Sequence, residues 1–198
     1  MTSSSARSRP TLAPWRGLAA LVAGFALWLA AFPAAAQIGS DRYSAIVLDA
    51  RNGNVLIAAN ADEQRYPASL TKMMTLYMLF EALRDGRVQL NTPIRMSEEA
   101  ASRPPSKLGL PPGMTLTAEQ AILALVTKSA NDVAAAVGEH LAGSEERFGQ
   151  MMTMRARAIG MSRTTFRNAS GLPDPDNVTT ARDMATLGLR LIRDFPDR

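Results

Sequence analysis

The sequence predicts an α+β domain: a cluster of helices with a short antiparallel hairpin. Residues 43–59, YSAIVLDARNGNVLIAA, set apolar and β-branched residues on both sides of Asn52-Gly53, the pattern of two strands around a tight turn. After Pro67, about five apolar or amphipathic stretches open on Ser or Thr and close on Gly or Pro, as capped helices do. Between them, residues 102–115 hold Pro104, Pro105, Gly109, Pro111, Pro112 and Gly113, a composition suited only to loop and turns.

The chain begins with an address. Arg7, Arg9 and Arg16 precede an uncharged apolar run from Gly17 to Phe32, followed by Pro33-Ala34-Ala35-Ala36-Gln37. A basic start, a short apolar core and small residues at alternate positions describe a secretory signal peptide, with Gln37 as the first mature residue. The run is shorter than the ~20 residues that span a bilayer, so residues 1–36 read as a cleaved signal and 37–198 as the working domain. No second apolar span follows, so no transmembrane segment is expected in the mature chain, which is expected to work outside the cytoplasm.

Each later element has a local cause. Ser69 precedes the apolar run Leu70–Leu83 and reads as a helix N-cap, with Gly86 as the stop. Thr117-Ala118-Glu119-Gln120 has the form of a capping box and opens a helix to about Thr127. A break at Lys128-Ser129-Ala130 separates it from an Ala/Val-rich helix, 131–142, stopped by Gly143. Ser144 caps a helix that ends at Gly160, and Thr180 with Asp183 caps the last, to about Asp194. One hairpin beside five helices is lopsided, because a two-stranded ribbon is marginal alone. Either helices cover it or strands of the same sheet are missing from the sequence.

Composition removes several functions. With no Cys and one His, neither a thiol nucleophile nor a Cys- or His-rich metal site is available, and no cofactor is implied. Of the net charge of +4, residues 1–36 supply three units, leaving a nearly neutral body with no basic stripe for nucleic acid. His140 reads as a helix-end residue favourable to the dipole, and the 11 Met as core filler. Asn168 and Asn177 read as turn residues, Ser106-Lys107 as a wall of the site, and Arg84, Asp85 and Arg87 as a solvated helix end.

What remains is hydroxyl and amine chemistry. Ser69 and Lys72 stand at i and i+3, neighbours on one helix face. A serine hydroxyl needs a base to take its proton, and a lysine can serve if burial lowers its pKa. Lys72 sits among Met73, Met74, Leu76, Tyr77 and Met78 in a chain that otherwise prefers arginine, 19 Arg to three Lys. That is the setting of a perturbed lysine rather than a solvated one. A second hydroxyl at Ser129 could relay a proton, and the amide of Asn131 could hold a peptide carbonyl. Alone, each pair has a bland reading as a helix cap.

Their order along the chain is more specific. PASLTK opens a helix and KSAND lies between helices about 60 residues later, a pairing shared by class A β-lactamases and penicillin-binding proteins. With the hairpin, YPASLTKMMTLYMLFEAL, PPSKLGLPPGMTLTAEQAILALVTKSANDVA and FRNASGLPDPDNVTTARDMA, the sequence from about Tyr43 to Arg198 resembles the serine D-alanyl-D-alanine carboxypeptidases, the low-molecular-mass penicillin-binding proteins. The resemblance implies the β-lactamase/penicillin-binding transpeptidase-like fold, with only the N-terminal hairpin of its sheet present. It implies Ser69 as the nucleophile that forms an acyl-enzyme, Lys72 as its base, Ser129 as proton relay and Asn131 as a substrate-binding residue. The implied substrate is the D-Ala-D-Ala end of a peptidoglycan stem peptide, and β-lactams would acylate the same serine.

The departure from the family is equally plain. No Lys-Thr-Gly occurs in the 198 residues. In the family that element binds the substrate carboxylate, and its strand supplies the second oxyanion N–H; loss of one such donor costs about 10²–10³ in rate. The sequence therefore leaves two expectations: a carboxypeptidase (or an endopeptidase of the same family) represented by part of its catalytic domain, or an impaired form that only binds peptidoglycan or a partner.

Overall fold

The computed structural model describes residues 42–198, so the expected signal peptide lies outside the described residues. Strands β1 (Ala45–Leu48) and β2 (Val55–Ala59) pair antiparallel, with Ala45 opposite Ala59. The turn differs from the tight Asn-Gly turn expected. Gly53 takes φ +79° but Asn52 has no positive φ, and residues 49–54 form a longer loop. The cause is Asp49, whose carboxylate accepts the backbone N–H and the guanidinium of Arg51 while its carbonyl accepts the Gly53 N–H.

A 3₁₀ turn, Ala68–Leu70, leads into α1 (Thr71–Arg84). There follow β3 (Pro93–Arg95), α2 (Glu98–Ser102), β4 (Thr115–Thr117), α3 (Ala118–Leu123) and a π turn, Ala124–Lys128. Three longer helices complete the chain: α4 (Asn131–Ala142), α5 (Glu145–Ala158) and α6 (Ala181–Asp194). The caps fall where the sequence puts them. Thr117 and Gln120 close a reciprocal capping box, Ser144 accepts from the Arg147 N–H and Thr180 from the Asp183 N–H. Gly143 ends α4 at φ +87°.

Two elements were not legible in the sequence. β3 and β4 form a second antiparallel ribbon, Ile94 opposite Leu116, and α2 is capped by Ser97. Three-residue strands are too short to show alternation, and a five-residue helix too short to show a 3.6 period. The single-hairpin inventory is thus corrected to two separate two-stranded sheets.

Helix α4 is the hub. Its first eight residues are buried, and it packs against α1, α2, α3, α5 and β3. Small residues make this possible: at Gly138 a Cβ would stand 2.9 Å from the Phe148 ring, so the ring occupies the place of a side chain. The core around it holds Met74, Tyr77, Leu79, Met152, Phe166 and Leu187. A helix buried on most sides explains its Ala/Val composition.

The hairpin is the exception. α6 packs against β1, but Leu56 and Ile57 of β2 remain 64% and 60% exposed. They point to opposite faces of the ribbon, so neither face of β2 is covered. Replacing both, Leu56→Lys with Ile57→Thr, is expected to change folding stability by less than ~0.5 kcal/mol while reducing self-association. Denaturant unfolding and sedimentation together check this; a loss above ~1 kcal/mol would mean the two side chains are buried against something.

Candidate active site

The chemistry centres on Lys72, which α1 carries into the interior with only 3% of its surface exposed. Its Nζ donates to Asn131 Oδ1 and to the carbonyl of Ser170, both at 2.7 Å. Burial pushes its pKa down to about 8. A neutral amine has two N–H bonds and one lone pair, so these two acceptors use both hydrogens and leave the lone pair for another donor. An amine held this way can take a proton near neutral pH, which a solvated lysine cannot.

Asn131 opens α4 and is itself clamped. Its Nδ2 donates to the Pro104 carbonyl at 3.0 Å and its backbone N–H to the Ser106 carbonyl at 2.7 Å. The next residue, Asp132, is fully buried and accepts from the Leu108 and Gly109 N–H groups. The Pro-rich loop is therefore sewn to the start of α4, as the reading of Ser106 as a wall implied. Ser106 also donates its hydroxyl to the Lys128 carbonyl at 2.8 Å, bracketing Ser129 from the other side. Ser129 is half-buried in the left-handed conformation, φ +54°. That backbone makes the break foreseen between the helices: Ser129 is the C-cap of the π turn through its backbone, and neither Ser129 nor Asn131 is the N-cap of α4, which is Ala130 with no side-chain bond.

The third wall is the loop 168–171. Asn168 Oδ1 accepts from the N–H groups of Ser170 and Gly171 and from the Ser170 hydroxyl, and Asn168 Nδ2 donates to the Leu172 carbonyl. This tight turn aims the Ser170 carbonyl at Lys72, while the Ala169 carbonyl accepts the Thr75 hydroxyl at 2.6 Å. Gly171, at φ +82°, lies directly on the backbone before Ser69: a Cβ there would be 1.7 Å from the Ala68 carbonyl oxygen. No residue with a side chain fits.

Ser69 sits in the 3₁₀ turn ahead of α1, and the expected N-cap is corrected. The N-cap is Leu70, with no side-chain bond, and Ser69 is exposed with its hydroxyl bonded to nothing among the described residues. The 3₁₀ turn and the left-handed Ala68, φ +47°, rotate the chain so that Ser69 is not in capping geometry. Leu70 and Tyr66 line an open groove of about 1170 Å³ with Ile46 of β1, Thr179 and Met184.

The structure thus joins Lys72 directly to Asn131, places Ser69 one turn before the lysine, and places Ser129 two residues before the asparagine. Sequence reasoning missed the backbone acceptors, Ser170 and Pro104, and the residues that hold them. Only one signal could have revealed them: Asn168 and Gly171 flanking two small residues mark a turn, though not what the turn faces. Asn168 and Asn177 are structural, as expected, the latter accepting the Arg167 N–H. His140 is exposed in the last turn of α4, and Arg84, Asp85 and Arg87 form surface ion pairs. Among the described residues no group of three or more His, Asp or Glu could hold a metal, and no helix is long and apolar enough to cross a membrane.

The chain is similar in sequence and fold to known proteins. D-alanyl-D-alanine carboxypeptidase DacF of Bacillus subtilis is 33% identical over 157 residues, 79% of this chain and 40% of the relative. The crystal structure of D-alanyl-D-alanine carboxypeptidase DacD from Francisella tularensis superposes with a TM-score of 0.77 at 36% identity, over 79% of this chain and 38% of that one. Penicillin-binding protein D2 of Listeria monocytogenes, solved in its ampicillin-bound form, matches at a TM-score of 0.65 and 30% identity, over 78% of this chain and 62% of that one. The chain spans about 40% of the length of the curated relative it matches. The fold is that of the low-molecular-mass penicillin-binding proteins, α+β, and the family profile described as D-alanyl-D-alanine carboxypeptidase matches residues 31–198. Because that match takes in every described residue, the chain belongs to the D-alanyl-D-alanine carboxypeptidase family.

Proposed function

We propose that this chain carries the acylating half of an exported serine D,D-carboxypeptidase that removes the terminal D-alanine from peptidoglycan stem peptides in the bacterial periplasm. The observation that carries the reading is the buried, depressed Lys72 held by Asn131 and Ser170, one helical turn from the unbonded hydroxyl of Ser69. Ser69 Oγ attacks the carbonyl carbon between the two D-alanines as its proton passes to Lys72. Lys72 returns that proton through Ser129, whose hydroxyl hydrogen goes to the departing D-alanine nitrogen as it takes the one from Lys72; the C–N bond breaks, and an ester to Ser69 remains for water to hydrolyse. Asn131, fixed by its three bonds, meets the substrate backbone. The first 36 residues supply export, and residues 37–198 form part of the catalytic domain. β-Lactams react at the same serine, since their strained amide mimics the D-Ala-D-Ala bond.

A second reading, a form that binds the stem peptide or a partner but turns over poorly, is favoured by one observation. β1 has β2 as its sole strand partner among the described residues. The groove beside Leu70 runs along a flank of β1 that β2 does not line, and Ser44 there keeps a buried hydroxyl with no partner among the described residues. A further strand on that flank would complete the carboxylate clamp and the oxyanion pair. Fluorescent penicillin and a D-alanine release assay separate the readings: label at Ser69 with turnover supports the enzyme, and label without turnover supports the impaired form. No label at Ser69 would sink both.

The rate of labelling has a defined pH dependence. Lys72 must be neutral to accept the Ser69 proton, and its pKa is lowered to about 8. The rate should therefore rise with pH through a midpoint near that value and level off above it, with about a tenth of the plateau rate at pH 7. Stopped-flow labelling between pH 6 and 10 checks this; a rate that does not change with pH across that range would rule out Lys72 as the base, and one still rising without levelling at pH 10 would mean that its pKa is not lowered.

A further inference from the structure

Helix α5 begins with Glu145, a carboxylate only 6% exposed and one position past the cap. Each of its oxygens has a partner within the protein. Oε1 accepts the Ala169 N–H at 2.9 Å, and Oε2 accepts the Arg103 guanidinium at 2.5 Å. Arg103 also reaches Glu99 at 2.7 Å, and its Nε is buried without a partner among the described residues. Glu139, bonded to Ser97, and Glu99 are the other acids around this guanidinium.

The two bonds of Glu145 lead to the two sides of the site. Ala169 immediately precedes Ser170, whose carbonyl takes one hydrogen of Lys72. Arg103 immediately precedes Pro104, whose carbonyl takes one hydrogen of the Asn131 amide and so sets which end of that amide faces Lys72. The two loops are 65 residues apart in sequence, and no other carboxylate bonds to both of them among the described residues.

We propose that Glu145 is a positioning residue for this site, a buried carboxylate that holds the Ser170 and Pro104 carbonyls in place and through them orients Lys72 and Asn131. A fixed anion suits the task. A charge-assisted bond to a backbone N–H is shorter and stronger than a neutral one, and the bond to Arg103 removes the cost of an unpaired buried charge. The role rests on the reading of Lys72 as the base, but its test does not need turnover.

Lys72, Lys107 and Lys128 are the three lysines of the chain, so competitive labelling with an amine reagent, read by mass spectrometry across pH, gives Lys72 against two internal standards. In the unmodified protein Lys72 should react slowly, with a midpoint near 8. Glu145→Ala should release the 168–171 loop, admit water to Lys72 and raise its midpoint toward the ordinary 10.5, while the plateau labelling rate reached above that midpoint should increase relative to Lys107 by about tenfold or more as the amine becomes accessible. Glu145→Gln keeps an oxygen for the Ala169 N–H but sets an NH2 against the Arg103 guanidinium, so its midpoint should shift in the same direction by clearly less than that of the Ala variant. A folded Glu145→Ala protein with an unchanged Lys72 midpoint, or a Gln variant as disturbed as the Ala variant, would overturn the proposal. If the Ala variant does not fold, hydrogen exchange of the unmodified protein decides. The Ala169 amide should be protected about 10²-fold or more over a free loop amide, and one that exchanges at the free rate would overturn the role. A protein that passes these tests but takes no penicillin would lose the proposed function while keeping the positioning role.

Discussion

Ser69→Ala is expected to abolish covalent labelling by penicillin, a loss of at least ~10⁴-fold, because no other hydroxyl stands one turn before a depressed lysine. The variant should fold normally. Ser69 caps no helix, its side chain is exposed, and its hydroxyl bonds to nothing among the described residues, so its removal leaves no buried group unsatisfied. Ser129→Ala provides the contrast. It should still label at Ser69, slowed by about 10²–10³-fold, because a relay assists the reaction while the nucleophile forms the bond. Intact-mass spectrometry after exposure to penicillin reads both. A Ser69→Ala protein that still gains one penicillin mass would move the nucleophile elsewhere and end the present assignment.

Gly171→Ala is expected to be the most damaging single methyl in the described residues, costing more than ~4 kcal/mol of stability together with the labelling activity. Two penalties combine. The left-handed backbone, φ +82°, costs a residue with a side chain about 1–2 kcal/mol, and the new Cβ would lie 1.7 Å from the Ala68 carbonyl oxygen. Backbone on both sides cannot yield cheaply, since Ala68 opens the 3₁₀ turn that holds Ser69 and Gly171 follows the carbonyl that holds Lys72. Gly113→Ala separates the two penalties: its φ is +85° but nothing lies within 4 Å of the added Cβ. That variant should lose only the ~1–2 kcal/mol of backbone strain and keep its labelling rate. Denaturant unfolding of the pair checks the difference, and equal losses at the two glycines would mean the close approach to Ala68 carries no energy.

The two expectations differ in how far the sequence could have led to them. Ser69 and Lys72 were legible because a hydroxyl and an amine at i and i+3 sit on one helix, where spacing alone brings them together. The oddity of a lysine among Met73, Met74 and Leu76 was legible too, since burial of a charged group disturbs composition locally. Caps at Thr117, Ser144 and Thr180, and the stop at Gly143, could be read for the same reason: each acts within three or four residues of itself. The short β3–β4 ribbon and α2 could not, because three to five residues carry too little period. The Asn52-Gly53 turn was misjudged because the Asp49 side chain captures the loop with bonds that outweigh the turn preference.

The sequence by itself determined the α+β class, the positions of the longer helices, the placing of Ser69 and Lys72 one turn apart, and the resemblance that the family match then bore out. Only the tertiary structure decided what lowers the pKa of Lys72. Asn131 comes from 59 residues away and the Ser170 carbonyl from 98, and Glu145 ties that loop to the Pro104 side of the site. Backbone carbonyls are the same at every position, so no residue type marks one that will be used. Burial is likewise a property of the packed surroundings. Desolvation, which lowers Lys72 to about 8, exists only once α1, α4 and the 168–171 loop have closed around it.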